Sequence, residues 1–154
     1  MYLYWLIFSY LAFLSIIDIK IDKKSSYVLR LFFLFFLTVF IGLRHEVGGD
    51  WNTYLYDFYK NLNYFNLFTF DFVRDFGYEL FSYIFAKIEL GIYELNFFLA
   101  IIFVYSLNKF ALQLNGNYWL IFLIAFPYLI VIVAMGYTRQ ATAFAFILLS
   151  LSSI

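Results

Sequence analysis

Arg44, His45, Glu46 and Asp50 crowd around the pair Gly48-Gly49 in a chain that is otherwise largely apolar. Paired glycines permit tight or left-handed turns. Exposed backbone N–H groups at a following helix start, together with the positive end of the helix dipole, make an anion cradle. The Arg44 guanidinium adds a planar fork that matches phosphate oxygens two at a time, so a diphosphate head group fits this chemistry. Asp50 would repel a phosphate held on the same N–H groups; it is better suited to capping the helix or orienting an acceptor hydroxyl. His45, the only histidine, can help hold a phosphate or move a proton. A plainer reading makes Asp50 an ordinary N-cap, the glycines a turn, Arg44 an interface anchor and His45 an interfacial polar contact.

Two other clusters carry charge. Asp75 and Glu79 are four residues apart, which sets both carboxylates on one helical face if the helix starts early. One of them with a raised pKa could take a proton from a sugar hydroxyl. Arg74 beside Asp75 makes a surface ion pair the simpler alternative. Arg139 and Gln140 open an apolar stretch, where a cation either snorkels to the interface or faces a cavity. No P-loop, H-E-x-x-H or G-x-S-x-G pattern occurs, so nucleotide hydrolysis, zinc proteolysis and serine-hydrolase chemistry lack their parts.

The elements that must position these residues follow from composition. Of 154 residues, 66% are hydrophobic and only 13% charged, and the mean hydropathy is +0.87; such a chain belongs in a bilayer. Ten cations offset by ten anions leave no basic stripe for a nucleic-acid partner. Without cysteine there are no disulfides, thiolate nucleophiles or zinc-thiolate sites. Aromatic richness can come from biased coding composition and carries little weight. Apolar runs of about the roughly 17–25 residues that cross a hydrocarbon core occur at 2–17, 27–43, 92–108, 118–134 and 137–154. The predicted fold is all-α: a polytopic integral membrane protein of about five transmembrane helices, one membrane domain over 1–154. The first run reads as a retained span rather than a removable signal peptide, and the last breaks off inside an apolar run, as if further spans follow.

Cations in short loops set the orientation. Lys20, Lys23 and Lys24, with Arg30 just inside the second span, put that loop in the cytoplasm and the N-terminus outside. The section 44–91 then lies outside, Lys109 inside, and 136–140 outside again, so the two arginine clusters share the outer face. Within the outer loop, Trp51, Leu55, Phe58, Leu62 and Phe65 recur at helical spacing, with Tyr54, Asp57 and Asn61 on another stripe. This predicts an interfacial amphipathic helix. A second is expected over 78–89, with Leu80, Phe81, Ile84, Phe85 and Ile88 apolar, after a turn within 61–70.

The ordered residues G-L-R-H-E-V-G-G-D-W-N-T-Y at 42–54, D-F-G-Y at 75–78 and M-G-Y-T-R-Q-A-T-A at 135–143 resemble the EpsG-like branch of the Wzy-type polysaccharide polymerases, multispan proteins of bacterial envelopes. Gly49 departs from the small hydroxyl residue frequent there, and family members are usually much longer, which makes this an amino-terminal portion. The resemblance implies a glycosyltransferase of the bacterial inner membrane that joins polyprenyl-diphosphate-linked oligosaccharide units in capsule, exopolysaccharide or O-antigen synthesis. No cofactor or metal is implied, because the leaving group is already a diphosphate and arginines can stabilise its charge. Carried over by residue, Arg44 and Arg139 contact the diphosphate, Asp50 and Asp75 orient or deprotonate the acceptor, and Tyr54 stacks on a sugar ring. Glu79 stands in for Asp75, and His45, Gly48, Gly49 and Gln140 complete the substrate contacts. The rival from another class is a non-catalytic or truncated component working with other polysaccharide assembly proteins. A lipid-linked sugar flippase would need polar residues lining its spans, and almost none occur.

Overall fold

A computed structural model describes residues 2–17, 23–63, 76–114 and 116–153. Within the described residues, each apolar run identified above is helical over most of its length. The elements are α1 (Tyr2–Ile17), α2 (Lys23–Gly42), α3 (Trp51–Asn63), α4 (Phe76–Lys87), α5 (Ile92–Gln113), α6 (Tyr118–Ala125), which continues into a widened π-helical segment at Phe126–Ala134, and α7 (Thr138–Leu151). No strand occurs among the described residues. Lys24–Gly42 and Ile92–Gln113 are long and apolar enough to cross a membrane, while Tyr2–Ile17 and Tyr118–Ala134 are shorter apolar helices. Residues 61–63, where a turn is expected to begin, are still helical in α3; the rest of that expected turn, 64–70, and Phe65 of the predicted stripe lie outside the described residues.

Pro127 stands at the start of the widened segment. A proline inside a helix cannot donate to the carbonyl one turn back, and its ring crowds that carbonyl; a wider turn accommodates it. The segment ends where the Tyr137 N–H donates to the Val133 carbonyl at 2.9 Å.

Helix α5 is the hub: α2 and α7 pack on it, α1 packs on α6, and α4 bridges α3 and α7. Leu11, Leu37, Phe103, Leu107, Trp119 and Ile130 form the centre of the main core. Phe33 meets Trp119 and Phe122 edge-on at centroid distances of 5.5 and 5.4 Å, the arrangement that ring quadrupoles favour. Gly42 lets α2 approach α5 closely, since a Cβ there would lie 2.8 Å from the Phe97 Cα. A smaller core joins Tyr54 and Phe58 of α3 to Tyr78 and Ala86 of α4 and Leu95 and Leu99 of α5.

Polar contacts gather at two ends of the bundle. At one, Asn117 Nδ2 donates to the Ser15 carbonyl at 2.6 Å, Tyr118 donates to Asn108 Oδ1 at 2.8 Å, and Gln113 Nε2 donates to the Ser152 carbonyl. The Arg30 guanidinium covers the Tyr118 ring there at 5.2 Å. At the other end, the loop after α2 meets the turn before α7. Successive long helices thus run in alternating directions, and the two arginine clusters lie at the same end.

The amphipathic helices turn much of their predicted stripes inward, with Trp51 and Phe58 buried and Leu55, Phe81 and Phe85 packed on the smaller core, but they also bury residues outside those stripes. In α3, Tyr54 is buried together with Trp51 and Phe58, while Leu55 is half-buried; Tyr54 is not on a separate stripe. In α4 the buried residues are Tyr78, Ser82 and Ala86, whereas Ile84 and Ile88 are exposed. Small residues permit close helix approach, and a tyrosine contributes a large apolar ring besides its hydroxyl.

Candidate functional site

Arg44 follows the end of α2, where the Leu43 N–H closes the last turn on the Val39 carbonyl at 3.0 Å. Its side chain, 5% exposed, reaches across to the turn before α7. Nη1 donates to the Ala134 carbonyl at 2.6 Å; Nη2 donates to Asn96 Oδ1 at 3.3 Å and to the Thr138 hydroxyl. One guanidinium therefore ties the ends of α2, α5, the widened segment and α7 together. Burial lowers its pKa to about 10, the nearby tyrosines pushing the other way, so it is a cation at neutral pH. All its acceptors are neutral, and no carboxylate among the described residues pairs with it. Arg44 Nε, Asn96 Nδ2 and the Tyr78 hydroxyl are buried with no hydrogen-bond partner among the described residues, which is costly unless an acceptor binds.

Gly48 seats the loop. Its φ is +93°, and a Cβ there would lie 2.6 Å from the Gly136 carbonyl oxygen and 2.8 Å from the Gly136 Cα. Gly49, beside it, has open space around a Cβ. The glycine pair thus has one member required by geometry and one that is not. Helix α3 begins directly after, with the Asp50 carbonyl accepting from the Tyr54 N–H at 3.0 Å.

Arg139, in the first turn of α7, carries the second guanidinium. It pairs with the Asp57 carboxylate of α3, with side chains 22% and 37% exposed respectively. Its Cζ lies 5.3 Å from the Tyr54 ring and 5.6 Å from the Tyr78 ring, and those rings are 5.4 Å apart. Cation–π attraction and the ion pair hold the guanidinium between two aromatic faces. The Tyr54 hydroxyl accepts the Arg139 backbone N–H, which partly offsets the rise in its pKa from burial. Burial drives the Tyr78 pKa up further, with the Tyr54 phenol adding to it and both arginines opposing it. Both phenols are protonated donors at neutral pH. An open cleft of about 360 Å³ between α4 and α7 adjoins Tyr78 and Arg139.

Of the residues singled out from sequence, Arg44, Gly48, Tyr54 and Arg139 meet at this end of the bundle. Asp50 is close enough for its charge to raise the Tyr54 pKa. His45 is drawn to the side: its Nδ1 is 2.6 Å from the Tyr93 hydroxyl, its ring contacts Trp51 and Tyr93, and its Nε2 is 3.7 Å from Glu46, the two side chains being 65% and 74% exposed. Gln140 is exposed on α7 and Glu79 is half-buried in the first turn of α4. Asp75 lies outside the described residues. Sequence reasoning missed Asp57, Tyr78, Asn96 and Thr138 as site residues. Tyr78 and Thr138 fall inside the motifs D-F-G-Y and G-Y-T-R-Q, while Asp57 and Tyr54, three residues apart on one helix, both face Arg139. No group of three or more histidine, cysteine or acidic residues able to hold a metal ion occurs among the described residues.

Comparison with known proteins bears on this arrangement. Neither the curated proteins nor the solved structures include a match to the chain. The EpsG family model matches residues 27–154, a range that includes Arg44, the α3–α4 pair and Arg139. By that match the chain belongs to the EpsG family, membrane proteins of polysaccharide biosynthesis.

Proposed function

We propose that the chain is the amino-terminal part of a membrane glycosyltransferase that joins polyprenyl-diphosphate-linked oligosaccharide units. In this reading α1, α2, α5, α6 with its widened continuation, and α7 all span the inner membrane, the N-terminus is outside, and the Arg44–Arg139 end faces outward. An acceptor hydroxyl attacks the anomeric carbon of the donor sugar. The bond from that carbon to the diphosphate oxygen breaks with its electron pair on the leaving group, and the hydroxyl proton passes to a carboxylate. Asp57, Asp50 and Asp75 are the candidates for that carboxylate, with Glu79 in reserve. The arginines stabilise the charge that develops on the departing diphosphate, which is where fixed cations accelerate such a reaction most.

The observation that supports this reading best is the convergence of two guanidinium groups, 95 positions apart in sequence (139 − 44), on one pair of buried tyrosines. Among the described residues, one of the two has no carboxylate partner and sits beside buried donors with no acceptor. The experiment is elongation of lipid-linked repeats by the protein in liposomes, where Arg139→Ala should abolish polymer growth while leaving the protein folded and inserted. A scaffold would instead retain its assembly role after that change. Because the chain is free of cysteine, single cysteines near 45 and 140 allow clean labelling from either side of the membrane. Labelling of the two positions from opposite sides refutes the site.

A further inference from the structure

The chemistry above draws on Asp75 and Tyr78 of the D-F-G-Y motif and leaves Gly77 unused, yet Gly77 lines the cleft between α4 and α7. Gly77 forms its floor: a Cβ there would only touch Phe146 at 3.7 Å and Thr142 at 3.8 Å, so the glycine is kept neither by a positive φ nor by a clash. What a side chain at 77 would take up is the cleft itself. Phe81 of α4 and Ala143 and Phe146 of α7 provide apolar walls, and Ala143 and Phe146 are exposed. Tyr78 and Arg139 close one end.

The lining has a direction. Arg139, Thr142, Ala143 and Phe146 occupy successive turns of one helix face, spanning roughly 10 Å at 1.5 Å per residue. Along that length the surface passes from a guanidinium to hydrocarbon, since the Thr142 hydroxyl turns back to donate to the Thr138 carbonyl at 2.9 Å and its methyl faces Gly77. A ligand that fits has an anionic head and a slender apolar chain leaving it directly. Resting on the function proposed above, we infer that the α4–α7 cleft seats the first isoprene units of the polyprenyl diphosphate, with the diphosphate against Arg139. The carbon chain needs a seat of its own because the bilayer solvates it as well as the protein does. Only close packing, not the hydrophobic effect, can hold it in register, and methyl-branched, flat isoprene units pack well on the faces of Phe81 and Phe146.

The test uses the full chain in lipid nanodiscs and two probes, pyrophosphate and a polyprenyl diphosphate carrying a diazirine in its first isoprene unit. Label is expected on α4 and α7 around Phe81 and Phe146. Ala143→Trp, at an exposed position, and Gly77→Leu should fill the cleft and remove about ten close carbon contacts, lowering affinity for the prenyl probe about tenfold. Pyrophosphate binding should change less than twofold, and Ile147→Trp, on α7 but off the lining, should leave the label in place. Label elsewhere, or unaltered in Ala143→Trp, overturns the inference alone while pyrophosphate still binds. Equal labelling by a diazirine phosphatidylcholine shows an ordinary bilayer lipid in the cleft and also overturns it. Failure of both pyrophosphate and the prenyl probe to bind overturns the diphosphate reading itself.

Discussion

Gly48 and Gly49 are adjacent and identical in sequence, and the structure separates them. At Gly48 an alanine would have to hold φ near +93°, which costs an L-residue roughly 1–2 kcal/mol. Its Cβ would also meet backbone atoms of Gly136 at 2.6 and 2.8 Å. Neither atom is the far end of a flexible side chain, so the two loops must move apart, at about 1–3 kcal/mol by analogy with overpacked cores. At Gly49 nothing lies within 4 Å of the added carbon, and the stiffer unfolded chain returns about 0.4–1 kcal/mol. That unfolded-state gain is common to both substitutions, so Gly48→Ala and Gly49→Ala should differ by about 2–5 kcal/mol. For a chain of this size that is on the order of 10 °C in the unfolding midpoint. Tryptophan fluorescence on heating in nanodiscs reads it, because buried Trp51 lies at the start of the helix that the loop launches. Equal midpoints for the two variants would mean that the loop does not rest on Gly136, and the convergence of Arg44 with the α7 entrance would lose its support.

Asp57→Asn removes the carboxylate that competes for Arg139; because the pair is partly exposed, pyrophosphate affinity should rise only about two- to fivefold, and a fall measured by calorimetry would show that Asp57 serves to position Arg139 instead. Tyr78→Phe deletes a buried hydroxyl with no partner among the described residues and should raise thermal stability by about 1 kcal/mol, while slowing polymer growth if that hydroxyl donates to the substrate; reduced stability would reveal a partner for it. Arg44, whose pKa burial lowers to about 10, attracts an anion through its field only as the cation. Pyrophosphate affinity titrated against pH should thus hold up to about 9 and fall as pH rises through about 10, and Arg44→Gln should remove that step. Bound anion favours the protonated form, so the step should shift upward at saturating pyrophosphate.

The helices were legible because their apolar runs are long and uninterrupted. Even so, α2 begins at Lys23 and α5 extends to Gln113, beyond the purely apolar stretches, since lysine and glutamine stems continue a helix without penalty. The shared end of the two arginine clusters was also legible, because loop charge and helix alternation fix it together. What a hydrophobic stripe could not reveal is which face of an interfacial helix meets protein. Apolar side chains suit either neighbour, so Tyr54 and Tyr78 went inward while Ile84 and Ile88 remained exposed. The Arg139–Asp57 pair spans 82 positions and involves an aspartate with no local signal beyond its helix register with Tyr54. The widened turn of 126–134 had only Pro127 to announce it.

On the proposed reading, the two arginines do different work, and their surroundings say which does what. Hydrogen-bond stabilisation of a leaving group requires donors within reach, whereas charge acts at a distance, further in a medium of low dielectric. Arg44 has both Nη groups committed to carbonyl, amide and hydroxyl acceptors and almost no exposed surface. Pulling it free to grip a substrate would leave those acceptors buried and unsatisfied, at about 1–3 kcal/mol each. It is better placed to supply an uncancelled positive field and to hold the helix ends together. Arg139 has an exchangeable partner instead: a partly exposed carboxylate can give way to a phosphate oxygen without opening the core. The Tyr54 and Tyr78 rings keep the guanidinium in place while that exchange occurs. Asp57 then belongs to the site as the group an incoming diphosphate replaces, and once released it stands beside the leaving group with its own charge unneutralised, free to draw the proton from the attacking hydroxyl.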